Sequence, residues 1–434
     1  MKQAALSVSL AGGPAGPRRM DGMIAPDGGF QRKTVLALLV LATALHLGLC
    51  ALHTGGLGAA PSLHIPAEAA ILAAAMLLSG FLTRPGDVAC AAIITAYLVA
   101  LRLVNPEADL IILRHLLLGF VFYRLGTQCD VGFVDRAARM ILAGVLGVGV
   151  FELATPDLFS RFFNIWNYFS ARGLIDPSAG EWADTSFFVS ADRAGGRNMF
   201  GFLLGSHRVS SVFLEPVSSG NFAALCFAWF ISFRSRNRWV WVGLSCVMVV
   251  LADSRFAAAC CCVMAVAAML PAALQRTAAV LAIPAVITIL LVIGALRHEE
   301  GSIPVIVSDD FVGRISFAGE VLWSWGWQHW LALAPSPVTT IDAGHAYLAN
   351  NLGAPIYLLI WLLVMLWHIS GPRSAEHTSF VLMLSIYFAL LLSVTGTAAF
   401  SMKTAALAWL LCGALGATRR GFGHDPGRER QAMA

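Results

Sequence analysis

Apolar runs near the roughly 20 residues that cross a bilayer recur along the chain. They fall at about 34–52, 65–82, 87–104, 109–123, 138–154, 211–233, 239–252, 255–271, 278–296, 351–369, 378–400 and 403–418. Each predicts a helix, and together they predict an all-α polytopic integral membrane protein of about 12 transmembrane helices. The seventh and eighth runs are short, and Asp253-Ser254-Arg255 separates them, with Ser254 placed to cap the eighth. Pro216 fits the first turn of the sixth, where no N–H is needed. Two polar stretches, 155–210 and 297–350, interrupt the pattern and read as large extracytoplasmic loops. In the second, Phe311, Ile315, Ala318, Leu322 and Trp325 recur at helical spacing. This predicts an amphipathic helix along the membrane surface, with Arg314 off its apolar stripe.

Composition agrees with the pattern. Of 434 residues 58% are hydrophobic and 12% charged, with mean hydropathy +0.74; a soluble protein carries about 25% charged residues. The spans make one transmembrane domain, 34–418, between a cytoplasmic tail at 1–33 and another at 419–434. The first tail is rich in Gly and Pro, carries Arg18 and Arg19, and reads as disordered; Met20 or Met23 would serve as alternative starts. No cleavage site follows the first run, which is read as an uncleaved anchor. Nearly all of the nine cysteines lie in apolar runs, as small hydrophobes do, and neither long loop holds one. The triplet Cys260–Cys262 points around a helix rather than at one metal. No basic stripe with interleaved aromatics argues for nucleic acid. There is no Walker-type loop, GxSxG or HExxH, so no cofactor is expected and the energy for chemistry must arrive with the substrate.

Lysine and arginine placement sets the orientation. The even-numbered connections hold Arg84; Arg124, Arg136 and Arg139; Arg234, Arg236 and Arg238; Arg276; and Arg373, and the C-terminal tail adds Arg419, Arg420, Arg428 and Arg430. The connections near 53–64 and 105–108 hold none in between, which places both termini in the cytoplasm and both long loops outside. The loops nevertheless carry Arg161, Arg172, Arg193, Arg197 and Arg208, then Arg297 and Arg314, while Arg255 and Lys403 sit at short outer turns.

An outward site with several arginines, a histidine and an aspartate suits transfer of a sugar from a lipid pyrophosphate. The guanidinium fork matches phosphate oxygens and would stabilise the departing pyrophosphate. Arg208, Arg255 and Arg314 stand at helix ends or beside the amphipathic stretch and are the pyrophosphate candidates; Arg161 and Arg172 are expected to tolerate replacement. His345 is the candidate general base, and Asp342, three residues earlier, its orienting partner; Arg314 completes the catalytic set. Arg197, Glu215 and Tyr347 are secondary candidates. Each has a plainer reading: an outer-loop arginine meets solvent or headgroups, and His345 alone is an interfacial histidine with its partners satisfied. Arg114 and His115 are placed in the cytoplasmic half of the fourth run, and Glu68 and Glu152 are read as snorkelling. Asp309-Asp310 is a tandem acid outside, and no metal is expected.

Four stretches carry a family resemblance. They are Arg208-Val-Ser-Ser-Val-Phe-Leu-Glu215-Pro216, Asp253-Ser254-Arg255, Gly313-Arg314, and Asp342-Ala-Gly-His345-Ala-Tyr347-Leu-Ala-Asn-Asn-Leu-Gly353. In this order, across 34–418, they resemble the Wzy-type polysaccharide polymerase and O-antigen ligase superfamily, most of all the xanthan-type exopolysaccharide polymerases. The resemblance implies a multi-span glycosyltransferase of class C-like architecture in the bacterial inner membrane. It would act without a metal at the periplasmic face, polymerising undecaprenyl-pyrophosphate-linked oligosaccharide repeat units into an exopolysaccharide. Donor and acceptor would both be carried on that lipid, with membrane lipids, a chain-length regulator and export proteins as partners. Ala346 stands where ligases have Asn, Ser or Gln, and Gly353 comes sooner than their glycine, which favours a polymerase over a ligase-like transferase. Polymerases of this type often have tyrosine at the place of His345. A transporter or flippase of lipid-linked oligosaccharides would keep charges within the spans and have short loops; an O-acyltransferase using His345 is a further alternative.

The orientation is testable. A cysteine introduced at Ser178 or Ser302 should react with a membrane-impermeant thiol reagent above the native background, and one at Ser235 should not. Labelling at Ser235 with protection of both loop sites would reverse the orientation.

Overall fold

The computed structural model describes residues 28–175, 186–187, 191, 198–298, 303–307, 311–370 and 374–417; Ser178, Arg193, Arg197, Ser302, Asp309 and Asp310 lie outside them. Among the described residues the chain is helical, without a strand. It begins with α1 (Gly28–Thr54), α2 (His64–Leu78), α3 (Pro85–Val104), α4 (Ile111–Gly126) and α5 (Val131–Ala154). The first long loop carries α6 (Pro156–Phe162), α7 (Ile165–Ala171) and α8 (Gly201–Leu204). There follow α9 (Pro216–Ser232), α10 (Arg238–Leu251), α11 (Arg255–Ala267) and α12 (Ala272–Arg297). The second long loop carries α13 (Phe311–Ser324) and α14 (Trp327–Trp330), and the chain ends in α15 (Gly344–Leu352), α16 (Ala354–Ile369), α17 (Ala375–Leu391) and α18 (Met402–Ala417).

Every one of the twelve apolar runs contains a helix. Among the described residues five helical stretches are long and apolar enough to cross a membrane: Gln31–Thr54, Ala60–Leu78, Pro85–Val104, Val131–Ala154 and Ala272–Arg297. A sixth arises if α15 and α16, bent by 106°, form one broken span. The apolar helices α10, α11, α17 and α18 have 14, 13, 17 and 16 residues, short of the roughly 20 that twelve full crossings require. The sequence explains the boundaries. Asp130, Ser254 and Ser374 accept the N–H three residues on, at the starts of α5, α11 and α17. Pro85, Pro156 and Pro216 each open a helix. Gly353, at φ +72°, makes the α15–α16 elbow, a conformation that residues with a Cβ rarely adopt.

The core forms around α9. Its residues 222–230 are all buried, the signature of a helix that is apolar on every side and enclosed by others; α10, α11, α17 and α18 surround it. By contrast α2 and α3 turn Leu77, Ile93 and Leu103 outward, as helices against lipid do.

Small residues let two helix pairs meet backbone to backbone. A Cβ at Gly413 would run into Tyr123 O, and one at Gly126 into Leu410 O, where α18 crosses α4. Gly294 and Gly319 do the same where α12 crosses α13. The second contact corrects the surface-helix expectation. The helix at 311–324 forms, but Gly313, Phe317, Ala318, Val321 and Leu322 are buried by protein, against Leu290 of α12 and Ala343, Ala346 and Ala349. The face expected to lie on lipid is already covered.

Overpacking a close crossing costs about 1–3 kcal/mol. Gly413→Ala and Gly126→Ala should each lower the thermal unfolding midpoint of the detergent-solubilised protein by several degrees. Gly144→Ala, with open space around it, should not. Equal midpoints in all three would refute the close α4–α18 crossing.

Candidate functional site

The Asp342–Tyr347 stretch joins two turns. His345 N–H donates to Leu392 O at 3.0 Å and Gly396 N–H to Ile341 O at 2.6 Å. Gly344 lies so close to Leu392 O and Thr395 O that a side chain would not fit. Arg314 clasps the joint from α13, its Nη1 donating to Asp342 Oδ1 at 3.1 Å and to Val394 O at 3.3 Å. His345 points into the bundle and is 1% exposed. Ala389 O can only accept, so His345 Nε2 donates to it at 2.9 Å, and Nδ1 accepts the Tyr357 hydroxyl at 2.9 Å. Neither nitrogen is left to take a substrate proton. The general-base role expected for His345 therefore gives way to that of a core histidine with both partners made. Asp342 bonds Arg314, and the ring is oriented by Tyr357 and Ala389 instead.

Arg208 is likewise absorbed. It is 2% exposed, and its Nε and Nη2 donate to Ala252 O at 3.2 Å and Asp253 O at 3.3 Å, with Asp253 Oδ2 at 3.9 Å from Nε. Asp253, at φ +44°, in turn accepts Phe200 N–H at 2.8 Å. The arginine thus clamps the end of the first long loop to the α10–α11 turn. Arg255, the first residue of α11, is exposed on that same turn. Phe256 meets Phe311 at 6.4 Å between ring centroids, which sets the start of α11 beside the start of α13. Tyr347 is buried and donates to Asp109 Oδ2 at 3.0 Å. Glu215 accepts from Ser218 Oγ at 2.7 Å and stands 3.9 Å from Lys403 Nζ. Arg197 lies outside the described residues.

A cluster that sequence reasoning did not single out forms at the end of the bundle that bears the long loops. Arg114 Nη1 pairs with Glu68 Oε2 at 2.7 Å, and Glu68 Oε1 lies 3.7 Å from His46 Nε2. On the other edge of that ring, His46 Nδ1 is 3.1 Å from Tyr168 OH and 3.4 Å from Arg172 Nη1. A guanidinium only donates, so Nδ1 accepts and the ring proton sits on Nε2, facing Glu68. Arg172 also lies over the rings of Tyr168 and Phe169, at 5.6 and 5.7 Å. Burial pushes the Tyr168 phenol up to about 12, so it stays neutral at pH 7. Beside this group Lys403, almost wholly buried, donates to Phe213 O at 3.0 Å and faces Glu215.

Three expectations are corrected here. Arg114 and His115 lie at the long-loop end of α4, beside Asp109 and Glu68, and not in the opposite half. Glu68 and Glu152 do not snorkel. Glu68 bridges Arg114 and His46, while Glu152 is fully buried and accepts the N–H groups of Ser210 and Ser211 and pairs with His207 at 3.2 Å. The signal was present, since an ionisable residue inside an apolar run is a functional candidate by default, and His46, Glu68, Arg114 and Lys403 all lie in such runs. Their pairing across more than twenty positions left no local trace.

The cluster gathers the cations Arg114, Arg172 and Lys403 around two carboxylates. Arg114 keeps 42% of its side chain exposed and Glu215 30%. It can therefore neutralise an anion while a carboxylate accepts from a hydroxyl. Among the described residues no group of three His, Cys, Asp or Glu side chains could hold a metal ion. Cys260 and Cys261 are buried and Cys262 exposed, fanned around α11 as expected.

Removing one partner from a buried charge pair costs about 3–5 kcal/mol. Arg208→Ala should thus sharply lower the yield of monodisperse protein on size exclusion, and Arg208→Lys should recover only part, because lysine cannot bridge two carbonyls. A normal yield with lost activity would instead return Arg208 to the substrate. Compared with known proteins, the chain matches no family model, no curated protein and no solved structure.

Proposed function

We propose that this protein is a polysaccharide polymerase that transfers an oligosaccharide from one undecaprenyl-pyrophosphate carrier to a repeat unit on another, at the outer face of the bacterial inner membrane and without a metal. One observation carries the reading: Arg114, Arg172 and Lys403 converge with Glu68 and Glu215 at the helix ends beneath both long loops. A lipid pyrophosphate presents its charge at this depth. The resemblance of the motif order to the Wzy-type superfamily points the same way, although His345 and Arg208 serve the framework.

In the reaction the bond between the donor sugar's anomeric carbon and the pyrophosphate oxygen breaks. A bond from that carbon to an acceptor hydroxyl oxygen forms, the hydroxyl proton passes to a carboxylate, and the carrier pyrophosphate leaves against the cations. Glu215, half-buried beside Lys403, is the proton acceptor in this reading. Arg314 and Asp342 hold the second loop in place, and Arg255 extends the positive surface near α13.

One observation favours a second reading, a transporter of lipid-linked sugars. His46, Glu68 and Arg114 sit on helices rather than in loops, as coupling residues in transporters do. The site of substrate accumulation separates the two. Cells lacking the protein should accumulate single lipid-linked repeat units on the outer leaflet; accumulation on the inner leaflet means transport.

A positioned proton acceptor contributes about 10²–10⁴-fold to rate. Glu215→Gln should lose that much polymerisation by purified protein at an unchanged yield on size exclusion. Arg172→Lys should impair it as well, against the tolerance expected from sequence, because Arg172 reaches His46 within the cluster and lysine keeps the charge but loses the fork. Near-full activity in both variants would remove the cluster from the chemistry.

A further inference from the structure

A cavity of about 640 Å³ opens between α3, α4, α16 and α18, and no step of the proposed transfer uses it. Ile94, Leu117, Leu352, Val364 and Trp409 are typical of its walls. An apolar cavity of about 150 Å³ stays dry and takes up benzene, so one several times larger calls for a larger apolar occupant. Its shape narrows the choice. Along α4 the lining runs from Leu113 to Arg124, which at the helical rise is about 16 Å. That is close to half of the ~30 Å hydrocarbon core, the depth of one leaflet. At the far end Arg124 pairs with Asp87 through Nη2 and lies over Phe120 at 5.4 Å, while its Nε has no partner among the described residues.

The near end carries an unanswered donor. His115 lines the cavity, is 1% exposed and stacks on Phe400 at 5.2 Å. Arg114 Nη2 stands 3.5 Å from its Nδ1 and can only donate, so the ring proton belongs on Nε2, which has no hydrogen-bond partner among the described residues. A buried N–H without an acceptor costs about 1–3 kcal/mol. An oxygen at the polar end of an amphiphile would satisfy it, with the Arg114 cation beside it to favour an anion.

We propose that this cavity is a lipid site that holds one leaflet-length hydrocarbon chain, with an oxygen of its polar head accepting the His115 Nε2 proton. The site holds whichever reaction the charged cluster performs.

The probe is dansyl-undecanoic acid, a single chain with a carboxylate head, added to the full-length protein in nanodiscs. Trp361, Trp367 and Trp409 line the cavity, so tryptophan excitation should produce saturable dansyl emission. Ala91→Trp and Leu117→Trp, which fill the cavity from α3 and from α4, should each weaken binding at least about tenfold. His115→Phe keeps the stacking and loses the donor, and should weaken it about tenfold, as expected for a bond to a charged acceptor. Palmitate should compete and free undecaprenol should not. Only non-saturable emission, or binding unchanged in both filled variants, overturns the site. Displacement by undecaprenol alone overturns the leaflet-length chain. A filled variant that folds, binds no probe and still polymerises leaves the transfer reading intact, so the two can fail separately.

Discussion

A charge carried into a bundle of apolar helices costs several kcal/mol unless it meets its counterpart there, and this constraint organises the fold more than any run of hydrophobic contacts. Arg208 finds Asp253 and two carbonyls; Arg139 finds Asp135 at 2.6 Å, whose other oxygen takes the Trp229 indole at 3.0 Å; Arg124 finds Asp87. Each pair joins segments far apart in sequence or pins a buried aromatic. Apolar faces alone leave helix register loose, because one leucine replaces another at little cost. A buried ion pair has no such tolerance, since a slip leaves a bare charge. The framework charges are thereby settled within the protein. Those that keep an exposed edge, Arg114, Glu215 and the Arg314–Asp342 pair, mark where a ligand could still be met.

The helices were legible because bilayer-length apolarity is a local property. All twelve runs contain helices, and short-range chemistry also placed the Ser254 cap and the Pro216 start. The site was far less legible. Arginine, aspartate and histidine in an outer loop look alike in sequence whether they bond a substrate or a backbone carbonyl. What decides is the partner's position, and Ala389 O and Ala252 O lie 44 residues from His345 and Arg208 respectively. Gly344 shows the same ambiguity. Beside a histidine it suggests room for a ligand, whereas its missing side chain makes room for the 392–395 backbone. The α13 helix was read correctly and its surroundings wrongly, because a stripe of small and apolar residues serves a lipid surface and a helix crossing equally well.

The α15–α16 elbow explains how the second long loop comes to be fixed over the bundle. All nine residues of α15 are buried, which is uncommon for a segment with two asparagines unless those are bonded. They are: Asn351 Oδ1 accepts Asp109 N–H, Asn350 Oδ1 accepts Ser336 N–H at 3.1 Å, and Tyr97 OH donates to Leu352 O at 2.6 Å. The elbow therefore ties the 105–110 turn to the 331–336 segment. Because Tyr347 also reaches Asp109, the position of the α4 start depends on the second loop being seated.

That dependence gives the first turns of α4 a particular importance. Consecutive residues on a helix point about 100° apart, so Arg114 and His115, though neighbours, face different compartments. Arg114 turns to Glu68 and the charged cluster, and His115 to Phe400 and the apolar cavity. Only the 3.5 Å approach of Arg114 Nη2 to His115 Nδ1 links them. One turn of one helix thus forms the wall between a polar space and an apolar one. A lipid whose head lay on the first and whose chain lay in the second would feel any movement of the second long loop through Asp109.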